Sequence, residues 1–127
     1  MATTPGSVRG VRQALEGQWQ LERFEWVTSD GISAVAANGR LTYDRFGLMT
    51  SSGSIGQQMS PDLTYEGRAM IDVRRSIVSI HPVVRTPITP ARVRRFAFLP
   101  DARLQLDLLD HNGLTIGRAI WRRVIAP

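Results

Sequence analysis

Turn-forming residues divide this chain at short and regular intervals. Gly, Asn, Asp or Pro recurs about every 10 residues, and the segments between these positions are rich in aromatic, leucine and β-branched side chains. This spacing is typical of short antiparallel strands that are joined by hairpins. Such strands predict an all-β fold, an antiparallel up-and-down barrel of about eight strands wide enough to hold one small ligand. A β-sandwich is the alternative that the same pattern allows.

The predicted strands are bounded by clear turn signals. Ser29-Asp30-Gly31 and Asn38-Gly39 end the first two strands, and Gly47 supplies the positive φ that the next hairpin needs. Pro82 marks an edge, a bulge or the end of its strand, because proline cannot donate to a ladder. The predicted strands cover residues 18–28, 32–36, 40–44, 48–54, 67–73, 77–84, 92–99, 103–109 and 115–124.

One short helix is predicted before the first strand. Ser7 is a suitable N-cap for residues 8–16, in which apolar side chains recur at helical spacing, and Gly17 is suited to end the helix. A second, single helical turn is predicted at residues 60–64, where Ser60 precedes Pro61. Residues 1–6 are interpreted as a flexible tail and residues 7–125 as one domain.

The composition excludes several kinds of chemistry. The chain of 127 residues has no cysteine, and all 16 of its basic side chains are arginines. It therefore has no thiolate nucleophile, disulfide, thiolate metal site or Schiff-base lysine. Two histidines cannot form a three-histidine zinc site. No metal and no cofactor are expected.

The net charge of +5 comes from arginines that are scattered singly and in pairs. No dense basic stretch or recognition motif is present, so a nucleic-acid partner is not expected. No secretory signal is visible in residues 1–17 and no apolar run approaches about 18 residues, so no membrane partner is expected and a cytoplasmic protein is the default interpretation. A homodimer stays open.

Strand alternation assigns candidate side chains to the barrel interior. In the first strand, a bulge near residues 22–23 would bring Phe24 and Trp26 inside with Trp19 and Leu21, whereas without a bulge Arg23 and Glu25 point inward. In the strand at residues 92–99, Phe96 and Phe98 are the stronger inward signal, and Arg94 shares their face. An inward arginine could hold a carboxylate, enolate or carbonyl, or could pair with Glu25.

Tyr43 and His81 complete the predicted polar group. Tyr43 shares a face with Leu41, and its hydroxyl could anchor a ligand or simply find a polar partner in the core. His81 could act as an acid or base, or could be a hydrogen-bonded histidine that lines the barrel. His111 lies in a turn and is expected to be exposed. The predicted catalytic group is therefore Tyr43, His81 and Arg94, with Glu25 as a fourth member.

Two motifs at the ends of the chain point to a family. Gly17-Gln18-Trp19 opens the first strand, and Trp121-Arg122-Arg123-Val124 ends the last one. This arrangement resembles lipocalins, in which the G-x-W tryptophan is stacked by an arginine of the final strand at the closed end of the barrel. The chain more closely resembles the small bacterial and fungal lipocalin-like domain family over about residues 15–124, with its motifs at residues 17–25, 39–49, 78–81, 93–96 and 121–124.

The resemblance implies a calyx-like barrel for an apolar or amphipathic small molecule. Trp19 is then expected to be buried and stacked by Arg122 or Arg123, and the lumen to open opposite the helix. Barrels of similar size act in natural-product pathways as cofactor-free cyclases or isomerases, so an enzyme for a polyketide-like or terpenoid-like substrate is the alternative to a binding protein. Apart from Tyr43, the expected lining is Leu21, Leu41, Met49, Phe96, Phe98 and Leu106.

Overall fold

A computed structural model describes residues 4–82 and 91–124. One helix, α1 (Val8–Leu15), precedes ten strands. The strands are β1 (Gly17–Thr28), β2 (Gly31–Val35), β3 (Ala37–Tyr43), β4 (Leu48–Ile55), β5 (Gln58–Met59), β6 (Tyr65–Asp72), β7 (Ile77–Pro82), β8 (Arg92–Leu99), β9 (Arg103–Leu109) and β10 (Thr115–Arg123).

Eight of these strands form a closed antiparallel barrel in the order β1-β3-β4-β6-β7-β8-β9-β10, and β10 pairs back with β1. The fold class and the closure predicted from the sequence are therefore confirmed. β2 runs along the second half of β1 while β3 runs along its first half, and β5 is a short addition to β4.

The interior is formed by side chains that meet in register across neighbouring strands. One such row joins Phe24 of β1, Ala119 of β10, Leu106 of β9 and Phe96 of β8, and all four are at most 2% exposed. The apolar area that all eight strands of the barrel bury in this interior provides the main stabilisation of such a fold.

A β-bulge in β1 decides which side chains enter this core. The pairing with β10 shifts between Leu21 and Arg23, so one extra residue is accommodated there. Phe24 is consequently fully buried and Trp26 packs partly against the core. The bulged alternative predicted from the sequence is the one that forms, because it buries aromatic area and leaves the Arg23 side chain 58% exposed.

Helix α1 seals one end of the barrel, called the sealed end below. Ser7 caps the helix by accepting a hydrogen bond from the Gly10 N–H at 3.0 Å, as predicted. Val11 and Leu15, four residues apart on one helix face, are completely buried against the barrel. The opposite end, called the far end, carries the β1–β2 turn and the turn at residues 61–63.

Several elements differ from the sequence-based expectations, including the short strand β5, which was not predicted. β3 begins at Ala37, so Asn38-Gly39 lies inside a strand and pairs with β4 instead of forming a turn. β6 begins at Tyr65, earlier than predicted, because Tyr65 pairs with Ser51. The segment at residues 60–64 is a hydrogen-bonded turn rather than a helix. Residues 83–84 and 125, included in the predicted bounds, lie outside the described residues.

Candidate functional site

Arg94 is a buried cation inside the barrel. It lies on the inner face of β8 with Phe96, as predicted, and is only 5% exposed. Its guanidinium donates one hydrogen bond from Nη1 to the Val93 carbonyl at 3.1 Å and one from Nη2 to the Asp62 carbonyl at 3.0 Å. The second bond ties β8 to the turn at the far end.

The guanidinium stacks on an aromatic ring of β6, two strands away in the barrel. The Arg94 Cζ atom lies 5.4 Å from the ring centroid of Tyr65, within the range of a cation–π contact. Burial raises the pKa of the Tyr65 hydroxyl, while the positive charge of Arg94 and hydrogen bonding with Ser51 and Arg94 act in the opposite direction. Tyr65 is therefore protonated at neutral pH and able to donate a hydrogen bond.

The turn at residues 61–63 covers this polar group. Leu63 is 2% exposed and packs so tightly over Gly53 that a Cβ atom there would lie 2.8 Å from the Leu63 Cβ. The buried Ser51 hydroxyl donates to the Leu63 carbonyl at 2.8 Å. Arg94 and Ser51 thus hold two consecutive carbonyls of the same turn.

The charge of Arg94 is not neutralised by an ion pair within residues 4–82 and 91–124. The carboxylate of Asp62, whose carbonyl accepts from Arg94, lies 3.9 Å from Arg92. Burial lowers the pKa of Arg94, and Tyr65 and Asp62 partly oppose this shift. A guanidinium offers five N–H donors. In Arg94 two of them bond backbone carbonyls and Tyr65 engages the group as well, which leaves N–H donors for an anionic or carbonyl oxygen.

His81 does not belong to this site, and its predicted inward placement is wrong. The inner face of β7 is formed by Val78 and Ile80, whereas His81 has the opposite parity and is exposed. It pairs with Arg68, which is also exposed. Alternation fixed the two faces correctly but did not decide which one is inside. The two buried apolar side chains decide it.

Glu25 is also outside the barrel, which corrects its predicted place in the polar group. After the bulge, Phe24 faces inward and Glu25 faces outward, although Glu25 is only 8% exposed. It pairs with Arg23 at 3.0 Å and Arg118 at 3.7 Å, and Arg118 also pairs with Asp107 at 2.9 Å. These side chains neutralise one another across the outer surface of β1, β10 and β9.

Tyr43 is buried as predicted but lies at the sealed end. It pairs with Gly17, the first residue of β1, and with Met49 near the start of β4. Arg94 is bonded to a turn at the far end. The interior polar group of Tyr43, His81 and Arg94 therefore does not assemble, and only Arg94 remains at the far end.

The apolar side chains predicted to line a lumen belong to one continuous core. Phe98 is partly buried and the others are at most 7% exposed: Leu21, Leu41, Met49, Phe96 and Leu106. Around these residues the interior is packed side chain against side chain.

Sequence reasoning missed Tyr65, and Leu63 was placed only within a predicted helical turn. The sequence contained one signal for Tyr65: it shares a strand face with two small residues, Gly67 and Ala69. In the structure both small residues are buried. Gly67 lies so close to the β7 backbone that a Cβ atom would lie 2.2 Å from the His81 carbonyl oxygen. This close approach explains why a glycine occupies position 67. It can be recognised only once the pairing register of β6 and β7 is known.

Neither a protein-family model nor a curated protein sequence matches this chain. Within the described residues, no group of three or more His, Cys, Asp or Glu side chains is arranged to hold a metal ion. A search of those residues finds no helix with the length and hydropathy needed to cross a membrane.

Proposed function

We propose that this chain is a lipocalin-like barrel that binds a small amphipathic molecule through an anionic or carbonyl head. Arg94 holds the head at the far end of the barrel, and Tyr65 donates a further hydrogen bond. The closed barrel and the tryptophan stacked at its sealed end support the lipocalin-like assignment.

The single observation that carries the proposal is the burial of Arg94 without a carboxylate partner among the described residues. Removing a guanidinium from water is costly unless its charge is compensated. Two backbone carbonyls compensate it only partly, whereas a ligand carboxylate would supply a full opposite charge and a bidentate geometry.

The ligand head competes with the turn at residues 61–63. The bond from Arg94 to the Asp62 carbonyl uses one of the two Nη2 N–H groups and holds the turn against the guanidinium. We infer that binding displaces this carbonyl and moves Leu63 away from Gly53. The apolar part of the ligand then contacts the side chains that Leu63 now covers.

Paired ligands that differ only in the head test the proposal. Octanoate and octanol are titrated into the wild-type protein and into Arg94→Gln, with Arg95→Gln as the matched control on the exposed, outer face of the same strand. The wild type should bind octanoate more tightly than octanol, and Arg94→Gln should weaken octanoate binding alone by about tenfold or more, the loss of a hydrogen bond to a charged group. Equal affinity for the two heads in the wild type, or an equal loss in Arg95→Gln, would refute the proposal.

The second candidate function is a cofactor-independent cyclase or isomerase. Its support is the pairing of a protonated Tyr65 with Arg94, since two such donors could polarise one carbonyl and stabilise an enolate. Incubation with polyketide-like and terpenoid-like extracts, followed by mass spectrometry, should then reveal a product. That product should disappear in Tyr65→Phe. Extracts that stay unchanged would argue against an enzyme and favour the binding function.

A further inference from the structure

A polar cavity lies at the sealed end, at the other end of the barrel from Arg94. It has a volume of about 280 Å³ and is lined by Arg9, Arg12, Gln13, Glu16, Tyr43 and Arg45. Four of these six residues come from the helix and the residue that follows it. The other two come from the end of β3 and the turn after it.

The helix presents its lining residues on one face. Arg9, Arg12, Gln13 and Glu16 follow the i, i+3, i+4, i+7 spacing that places side chains above one another. Val11 and Leu15 occupy the buried face and fix the rotation of the helix on the barrel. The same packing that seals the barrel therefore directs two arginines toward Tyr43 and Arg45.

Tyr43 contributes a buried hydroxyl whose nearest charged neighbour is a lining arginine. The residue is 2% exposed, and its hydroxyl makes no hydrogen bond of ordinary geometry among the described residues, although the Arg12 side chain lies close enough to affect its pKa. Burial raises the pKa of the Tyr43 hydroxyl, and the nearby charge of Arg12 lowers it to a smaller extent. The hydroxyl is therefore protonated, and Tyr43 is one of the residues that line the cavity. A buried polar group without a partner is rare in proteins and calls for an explanation.

The cavity carries an excess of positive charge. Arg9, Arg12 and Arg45 take part in none of the ion pairs formed within the described residues. Glu16 is the single carboxylate in the lining. The neighbouring Asp44 carboxylate accepts hydrogen bonds from the Phe46 and Leu48 N–H groups at 2.9 Å each, which commits one of its oxygens to the turn.

We propose that this cavity binds a phosphate group, with the Tyr43 hydroxyl as a fixed donor and the guanidinium groups of Arg9, Arg12 and Arg45 as its counter-charges. Three guanidiniums and one hydroxyl converge from two structural elements, which suits a compact, multiply charged oxyanion with several acceptor oxygens. The site is distinct from the one proposed around Arg94 and does not depend on it.

The phosphate can belong to a soluble molecule or to a lipid headgroup. A soluble phosphate needs only the cavity. A lipid headgroup would also bring a membrane surface against Phe46, which is 69% exposed at the tip of the β3–β4 turn beside Arg45. The chemistry at Tyr43 is the same in both cases.

The first experiment titrates the intact chain with inorganic phosphate and with glycerol 3-phosphate at constant ionic strength, followed by amide chemical shifts. We expect saturable changes confined to residues 9–16 and 43–47. Tyr43→Phe and Arg12→Gln should each raise the Kd about tenfold or more, the effect of losing a hydrogen bond to a charged group. Arg122→Gln is the matched control, since it removes an exposed arginine near the same end that does not line the cavity.

Two further measurements make the result unambiguous. Tyr43→Phe should unfold at a temperature no lower than the wild type, because the hydroxyl makes no hydrogen bond of ordinary geometry, so weaker binding cannot be attributed to a damaged fold. Vesicles of phosphatidylcholine with phosphatidic acid form the lipid arm, and binding there that depends on Tyr43 and Phe46 assigns the phosphate to a lipid. Phosphate binding in no arm, or binding that Tyr43→Phe leaves unchanged while Arg122→Gln weakens it, would overturn the proposal.

Discussion

Arg123 lies over the indole ring of Trp19, with its Cζ atom 4.2 Å from the ring centroid. The same guanidinium donates to the Glu16 carbonyl at 2.7 Å and to the Ala14 carbonyl, and the Trp19 indole N–H donates to the Leu15 carbonyl at 2.9 Å. One arginine of the last strand therefore joins the first strand to carbonyls at the C-terminal end of the helix. The stacking predicted from the two end motifs is confirmed, and Arg123 is the residue that provides it.

Replacement of Arg123 by Met should destabilise the protein by about 2–3 kcal/mol, from the loss of a cation–π contact and of hydrogen bonds to helix carbonyls. Arg122→Met is the control, because Arg122 is the exposed neighbour and its loss should change the free energy of unfolding by less than about 0.5 kcal/mol. Urea unfolding of both variants measures the difference. Equal losses of unfolding free energy in the two variants would mean that the Arg123–Trp19 contact adds nothing beyond the effect of removing one positive charge.

Gly17 should be less tolerant of substitution than Gly31, which has a similar backbone conformation. Gly17 has φ +128° and a Cβ atom there would lie 2.8 Å from Arg123 Nη1, while Gly31 has φ +123° and open space around its Cβ position. Both alanine variants experience backbone strain of about 1–3 kcal/mol. Gly17→Ala should cost measurably more, and the excess should disappear in the Arg123→Met background. An excess that persists without the arginine would show that the contact is not its cause.

Phe96→Ala should destabilise the protein by about 3–5 kcal/mol, the usual cost of emptying a large aromatic site in a core. Phe96 is 2% exposed and belongs to the core inside the barrel, whereas Phe46 is 69% exposed. Phe46→Ala is thus the matched control and should change the unfolding free energy by less than about 0.5 kcal/mol. Equilibrium denaturation distinguishes the two, and a small effect at Phe96 would contradict the assigned orientation of β8.

Local patterns predicted more of the fold than of the site. Turn spacing predicted the barrel, and the pair of end motifs predicted its closure, because each depends on residues that act within one hairpin or one strand pair. The inward orientation of β8 was also predicted correctly, since Phe96 marks the inner face. His81 was misplaced because β7 carries apolar residues on both faces, so alternation alone left the inner face undecided.

The site depends on the pairing register between strands, which the alternation of side chains within one strand does not determine. Tyr65 meets Arg94 only because β6 begins opposite Ser51 and the turn at residues 61–63 returns over the barrel end. Asp107 lies on the outer face of β9, yet it is only 4% exposed, because Arg118 from the adjacent strand covers it. Contacts between strands of this kind become visible only once the pairing is known.

Arg118→Met should destabilise the protein by about 1–3 kcal/mol, since it leaves the carboxylates of Glu25 and Asp107 without their shared partner. Arg118 is itself partly exposed, which limits the effect through solvent screening. The loss should become smaller when Asp107 is simultaneously changed to Asn. A double-mutant cycle measured by urea unfolding tests this coupling, and strictly additive effects would argue against it.

Asp110 should give the protein an acid-sensitive turn. Its carboxylate accepts hydrogen bonds from the Leu114 and Asn112 N–H groups at 3.0 and 2.8 Å, and these bonds hold the pKa of Asp110 below its ordinary value. A lowered folded-state pKa stabilises the protein above the unfolded pKa of about 4, and the contribution is lost as the pH falls through the folded value. Asp110→Asn keeps a neutral acceptor in the turn, so its melting temperature should lie below that of the wild type at pH 6 and approach it as the pH falls toward 2. A gap that stays constant from pH 6 to pH 2 would show that the charge on Asp110 does not stabilise the turn.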